Sequence, residues 1–289
     1  MFATLLGDLP RPPMPADAAA DALVAAVVEA QVAAGLEPVT DGGWWGGRPP
    51  LDARRATAAL TTTDVKQVLT GPLSAGAPDV LAAAVALNRV VRELADAGCP
   101  LVEIHEPAIV GIGSDPTGWD RVARAHERLT EGIDGIHLSL AITGGSADAS
   151  GSPILTGLPY ASLAVDLIAG PDNWRLVRAT PGTRGIVCGV VSPLAGSDDG
   201  PEILLWAAAY AASGDGRGPD RVGLATASSF AGLPWDVAMV KIERLGAAAR
   251  LATLPAEQLR DLLDPRSFDS RSAGLGRAEP PGNRSARIP

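Results

Sequence analysis

Short apolar runs of four to seven residues alternate along the chain with longer stretches rich in Ala, Leu and Val, a pattern in which each strand needs a covering helix. Eight strands are predicted, at Phe2–Leu6, Glu37–Thr40, Val65–Thr70, Leu101–His105, Gly135–Ser139, Ala161–Asp166, Gly185–Val191 and Arg221–Thr226. Helices are predicted at Ala16–Ala34, Ala77–Ala97, Gly118–Glu131, Pro201–Ala212 and Trp235–Leu251, several of them followed by glycine, which takes the left-handed cap most readily. Weaker helical cover is expected at Leu51–Leu60 and Asn173–Ala179, where the periodicity is poor. Eight strands alternating with helices close a parallel sheet on itself, so the predicted fold class is α/β, a (β/α)8 TIM barrel.

Composition narrows the function classes. With 46% hydrophobic and 20% charged residues over 289 positions, the chain can bury a large core, and a single barrel is expected over residues 1–263. A net charge of -9 opposes attraction to nucleic acid or to an anionic membrane, leaving a small-molecule substrate as the expected partner. The two cysteines, Cys99 and Cys188, lie in or beside apolar strand-like runs, which argues against a secreted disulfide framework and for the cytoplasm. The first residues have no basic region followed by a long apolar core, and no apolar run approaches the roughly 18 residues of a membrane span. Residues 264–289, rich in Pro, Gly, Ser and Arg, are expected to form a flexible tail.

Barrel enzymes place their chemistry at the carboxyl ends of the strands, so ionisable residues there are the first candidates. In ELADAGCPLVEIHEPA, residues 93–108, a helix end and a Gly98 stop lead into a strand that runs into His105 and Glu106. His137 falls near the end of the next predicted strand and Asp166 ends the one after it. Two readings of His105, His137 and Asp166 follow beside a purely structural one: a two-His, one-carboxylate metal site, or an imidazole oriented by a carboxylate for acid/base work. Glu106 suits an amino or ammonium group, or a salt bridge at the barrel mouth. Asp8 and Asp41 also follow strands and either bind a cationic ligand or cap loops. In DGGWWGGRPP, residues 41–50, Trp44 and Trp45 are expected to stack on a planar ligand, close as a lid, or pack over the mouth. Cys188 is read as a buried thiol or a reactive one near the mouth, and His126, in a charged helix, as solvated.

Seven segments taken in order carry a family resemblance: GDLPRP (7–12), AGLEPVTDGG (34–43), LTGPLS (69–74), AGCPLVEIHEPAI (97–109), IHLS (136–139), CGVVSP (188–193) and LPWDVAMVKIERL (233–245). In order and spacing they resemble the catalytic barrel of cobalamin-independent methionine synthase over roughly residues 2–252. The resemblance implies a (β/α)8 barrel that moves a methyl group from a folate, methyltetrahydrofolate, to a thiol. It also implies zinc held by a His-x-Cys pair, a later acidic residue and a second Cys. His137 matches the histidine and Asp166 the acidic residue, so these are the two positions at which a metal would be held. Ser139 stands for the first cysteine and Ser228 or Ser229 for the second. Serine hydroxyls are poor zinc ligands beside thiolates, and zinc in the family's geometry is not expected. Asp8 replaces the serine of a GSFP-like turn and His105 the aspartate of an Asp-Glu-Pro motif, while Glu106 and Pro107 are retained. With Ser74, Ser139 and Ser229 among the substrate-binding candidates, the expectation is a divergent barrel enzyme acting on a small polar substrate. Its reaction is read as methyl or alkyl transfer, elimination or hydrolysis; the alternative is a non-catalytic folate-binding or partner-binding barrel.

Overall fold

A computed structural model describes residues 1–147, 151–197, 199–254 and 257–259. The expected tail at 264–289 lies outside the described residues. Seven parallel strands, β1 Phe2–Thr4, β2 Lys66–Thr70, β3 Leu101–His105, β4 His137–Ile142, β5 Ser162–Asp166, β6 Gly185–Val191 and β7 Val222–Thr226, form one curled sheet in the order β1-β7-β6-β5-β4-β3-β2. Between its two edges runs the predicted second strand, residues 37–40. It is too irregular to pair as a strand, yet its Val39 bridges Val65 and its Glu37 N–H donates to the Ala3 carbonyl. That segment closes the ring, giving the TIM-barrel fold.

Helices α1 Ala20–Ala34, α2 Pro50–Ala58, α3 Val80–Asp96, α4 Pro116–Thr130, α5 Ser152–Gly157, α6 Asn173–Ala179, α7 Pro201–Ala212 and α8 Trp235–Leu251 surround it. Their start and stop signals are local. Asp79 accepts the Ala82 N–H to cap α3, Asp115 accepts that of Thr117 with Pro116 at the first position of α4, and Gly35 ends α1 at φ 80°. The main core lies between sheet and helices, where Val102, Ile104, Leu138, Leu140 and Ile142 alternate outward against Val91, Leu94, Val122 and Leu129. Each such side chain contributes about 1.5–3 kcal/mol of burial. His126 is on this buried face of α4, not in solvent; the charged neighbours Arg121, Arg124 and Arg128 obscured the inward stripe of Val122, Ala125, His126 and Leu129.

One strand boundary differs from expectation with consequences for function. Gly132 and Gly135, at φ 58° and 75°, form a turn before the strand. The chain therefore enters the sheet only at His137 and continues to Ile142. The predicted strand at Gly135–Ser139 ended too early, and the apolar continuation Leu140, Ala141 and Ile142 belongs to it.

The barrel interior is filled largely by small side chains. A middle layer of Leu6, Ala141, Ala164, Val187 and Ala225, with Phe2 packed below, separates an upper space from a lower one. Small side chains leave room on both sides of it.

Candidate active site at the barrel mouth

Inward-facing positions of β2 and β3 carry two charges that are not among the candidates at the strand ends. Lys66 and Glu103, each 2% exposed, are joined at 2.8 Å from Nζ to Oε1, and Lys66 also donates to the Leu5 carbonyl. His105, two residues beyond Glu103 and so on the same strand face, places Nε2 2.7 Å from the same Oε1. Burial pushes the Glu103 carboxyl up, but Lys66 and His105 together overcome it and hold the group down at about 2. At neutral pH Glu103 is therefore an ionised acceptor. In the neutral imidazole, a hydrogen bond to that carboxylate puts the ring proton on Nε2 and leaves Nδ1 with its lone pair. Nδ1 has no partner among the described residues, and His105 lines the cavity at the mouth. The available signal was a pair of charges inside otherwise apolar strands, one of them two residues before His105.

That cavity, about 560 Å³, opens at the carboxyl ends of the strands and is lined by Asp8, Asp41, Trp45, His105, Thr143 and Ser229, among others. Asp41 accepts the Gly43 N–H, and its carboxyl is raised above the usual range by burial and by the charge of Asp8, with the Gly43 bond opposing. Gly43, at φ 84°, lies so close to Asp8 that a Cβ there would overlap its carboxylate. Ser229 is exposed at the rim, its hydroxyl accepting the Ala231 N–H.

Other predicted residues are present at this end but committed to the backbone. Asp166, 1% exposed, accepts N–H bonds from Gly144, Ile168 and Ala169. Glu106 is fully buried and accepts from the amides of Leu73 and Ser74, while the Ser74 hydroxyl accepts the Ala108 N–H. Behind it, burial and the charge of Glu106 raise the Tyr160 hydroxyl well above its ordinary value. The Tyr160 hydroxyl is hydrogen-bonded with His126 Nδ1 at 2.6 Å. His126 Nε2 lies 3.5 Å from Glu106 Oε2, an ion-pair distance outside hydrogen-bond geometry. Glu106 therefore clamps the loop after β2 and does not line the mouth cavity. Of the indoles, Trp45 lines the cavity and donates to Thr57, with the Arg48 guanidinium 3.8 Å over its ring, and Trp44 packs against the core beneath Arg11, its buried Nε1–H without a hydrogen-bond partner among the described residues. Cys188 faces the helices, is wholly buried and is pushed up to about 12 by burial, with Arg217 slightly opposing, so it is the inert thiol.

His137 does not reach this mouth. The register pairs His137 with Leu101 and Ala141 with His105, so the two histidines are four residues apart along the strands, about 13 Å at 3.3 Å per residue. His137 sits at the floor with Nε2 2.8 Å from the Ser162 hydroxyl, and Ser139 stands above it in the lower space. Burial draws the His137 imidazole below its ordinary value, with the charge of Glu103 opposing. Because Val165 pairs with Ile142, Asp166 is level with Thr143, about 20 Å along the sheet above His137. The expected joint use of His137 and Asp166, as metal ligands or as a catalytic group with His105, is thereby corrected. Among the described residues no group of three or more His, Cys, Asp or Glu could hold a metal. Among them, too, no helix is long and apolar enough to cross a membrane.

No protein-family model and no curated protein matches the chain. Solved structures do. The B12-independent methionine synthase from Shewanella sp. W3-18-1, in complex with selenomethionine, superposes with a TM-score of 0.71 at 15% identity over 86% of this chain and 96% of that one. The putative vitamin-B12 independent methionine synthase from Listeria monocytogenes superposes at 0.66 and 15% identity, over 87% and 96%. Dihydrodipicolinate synthase from Acinetobacter baumannii, complexed with pyruvate, follows at 0.56 and 11%, over 95% and 81%. At these identities the likeness establishes the fold.

Proposed function

We propose that the chain is a divergent methionine-synthase-like barrel enzyme that acts on a small polar substrate at the carboxyl-terminal mouth, with His105 as the residue that takes and returns a proton. The observation that carries this reading is the 2.7 Å contact between Glu103 and His105 Nε2, which leaves Nδ1 as a base on the mouth cavity. Lys66 fixes Glu103, Glu103 fixes the tautomer and ring plane of His105, and so the base is preorganised from within the sheet. Asp8 and Asp41 give the mouth an acidic rim suited to an amino group on the substrate.

The reaction we favour is methyl or alkyl transfer to a thiol, with a folate such as methyltetrahydrofolate as donor. A neutral thiol is a poor nucleophile, and the described residues do not fit zinc, so the chain must generate the thiolate itself. The thiol proton passes to His105 Nδ1, the freed sulfur pair forms the bond to the transferred carbon, and the donor nitrogen, which keeps the pair of the broken C–N bond, takes up the proton that His105 returns. A second reading, a barrel that binds a folate or a partner without reacting, draws on the commitment of Asp166 and Glu106 to backbone amides.

A thermal-shift and turnover screen with folates, thiols and amino acids separates these. A ligand that stabilises the chain and is consumed, with turnover falling about 10²–10⁴-fold in His105→Asn and little changed in His137→Ala, supports the enzyme. Binding without consumption supports the second reading, and turnover that survives His105→Asn removes His105 from the chemistry.

A further inference from the structure

The lower space of the barrel is a cavity of about 360 Å³ that opens at the amino ends of the strands, the end opposite the proposed active site. Small-molecule sites begin at about 300 Å³. Phe2, Leu101, Ile186 and Val187 supply an apolar wall, and the layer of small side chains above closes it. Into it face Ser139, Ser162, His137, Lys66 and Glu103. The Ser139 hydroxyl is the informative atom: it is 1% exposed and has no hydrogen-bond partner among the described residues. Leaving a buried hydroxyl unpaired is costly, and such a group aimed into a polar-lined cavity points to something that occupies it. Lys66 Nζ spends two of its three protons, on Glu103 and the Leu5 carbonyl, and Glu103 Oε1 takes both bonds made to that carboxylate, leaving Oε2 free among the described residues.

We infer that this floor cavity is a second ligand site, built for a small neutral polyhydroxylated molecule. The charges decide the class. Lys66 and Glu103 cancel, and Asp220 and Arg221, which also line the cavity, add one charge of each sign, so an anion entering would meet the Glu103 carboxylate and a cation the Lys66 ammonium, each at low dielectric. What remains are closely interleaved donors and acceptors: the hydroxyls of Ser139 and Ser162, the remaining Lys66 proton and Glu103 Oε2. A hydroxyl both donates and accepts, so a ligand carrying several satisfies this lining, while its carbon face lies on Phe2 and Val187. Glu103 touches both ends of the barrel, on this cavity through its carboxylate and on the mouth through His105. A molecule bound at the floor is therefore felt by His105.

The chain has three histidines, which makes imidazole NMR a direct assay. The full 15N-labelled chain is titrated with ribose, propionate and propylamine while the ring nitrogens of His105, His126 and His137 are followed. Ribose is expected to move His137 saturably and His105 by a smaller amount, leaving the remote His126 in place. Propionate and propylamine are expected to bind more weakly. Ser139→Ala should weaken ribose binding about three- to tenfold, the worth of one neutral hydrogen bond. This variant keeps or raises the melting temperature, since the hydroxyl it removes is unpaired, and so it reports on the site and not on folding. His105→Asn should retain the binding. No saturable movement of His137, equal binding to Ser139→Ala, or tighter binding of either charged probe would overturn the inference and leave the cavity as a space for water.

Discussion

At the mouth, His105 has one ring nitrogen fixed by an ionised, buried carboxylate and the other facing a cavity; at the floor, His137 rests on a serine hydroxyl with no carboxylate bonded to it among the described residues. The two residues share a side-chain type, an inward orientation and adjacent strands. What separates them is height along the sheet and the presence of Glu103, and these decide that one histidine is preorganised as a base and the other lines a neutral pocket. A histidine in a barrel strand therefore says little by itself. The residue two positions earlier on the same face, and the side of the sheet's midpoint on which it falls, say more.

The comparison breaks most visibly at Glu103. Replacing it with alanine strands the Lys66 charge in the interior and should cost about 3–5 kcal/mol in urea unfolding, against about 1 kcal/mol for His137→Ala at the floor. Similar losses at the two sites would show that Glu103 is not the hinge of the interior. Acid sharpens the same contrast. The folded-state pKa of Glu103 is depressed to about 2 from 4.5, so its stabilisation is fully present above about pH 4.5 and is lost as pH falls toward 2. The lost part should amount to about 3 kcal/mol, and Glu103→Gln should flatten that limb of the stability curve. A limb unchanged in the variant would assign acid lability elsewhere. The smallest expected effect concerns Cys188. Its burial and its pKa near 12 should make it resist alkylation at pH 8 in the native chain and react once the chain is unfolded.

Much of the fold was legible because its periodicities are strong. The bounds of β3, β6, α6, α7 and α8 agree with those expected from apolar runs and helix signals, and the sheet is parallel as strand-helix alternation demands. The segment at 37–40 was placed correctly between β1 and β2 but bridges only through Val39. The site was less legible for a physical reason: an end-of-strand assignment depends on a boundary, and boundaries are set by turns. The glycines at 132 and 135 delay β4, which moves His137 from the expected top of a strand to its bottom. Asp166 and Glu106 were rightly placed at strand ends, yet their carboxylates are spent on amides that only the folded loops bring near. The pairing of Lys66 with Glu103 spans 37 residues of sequence and leaves no local signal.

The most direct test of the central claim needs no substrate. In 15N-labelled protein at neutral pH, the account predicts that His105 is the Nε2–H tautomer, with a hydrogen-bonded ring proton far downfield that disappears or moves sharply in Glu103→Gln. An Nδ1–H tautomer, or a His105 spectrum indifferent to Glu103→Gln, would contradict it, because no base would then face the mouth.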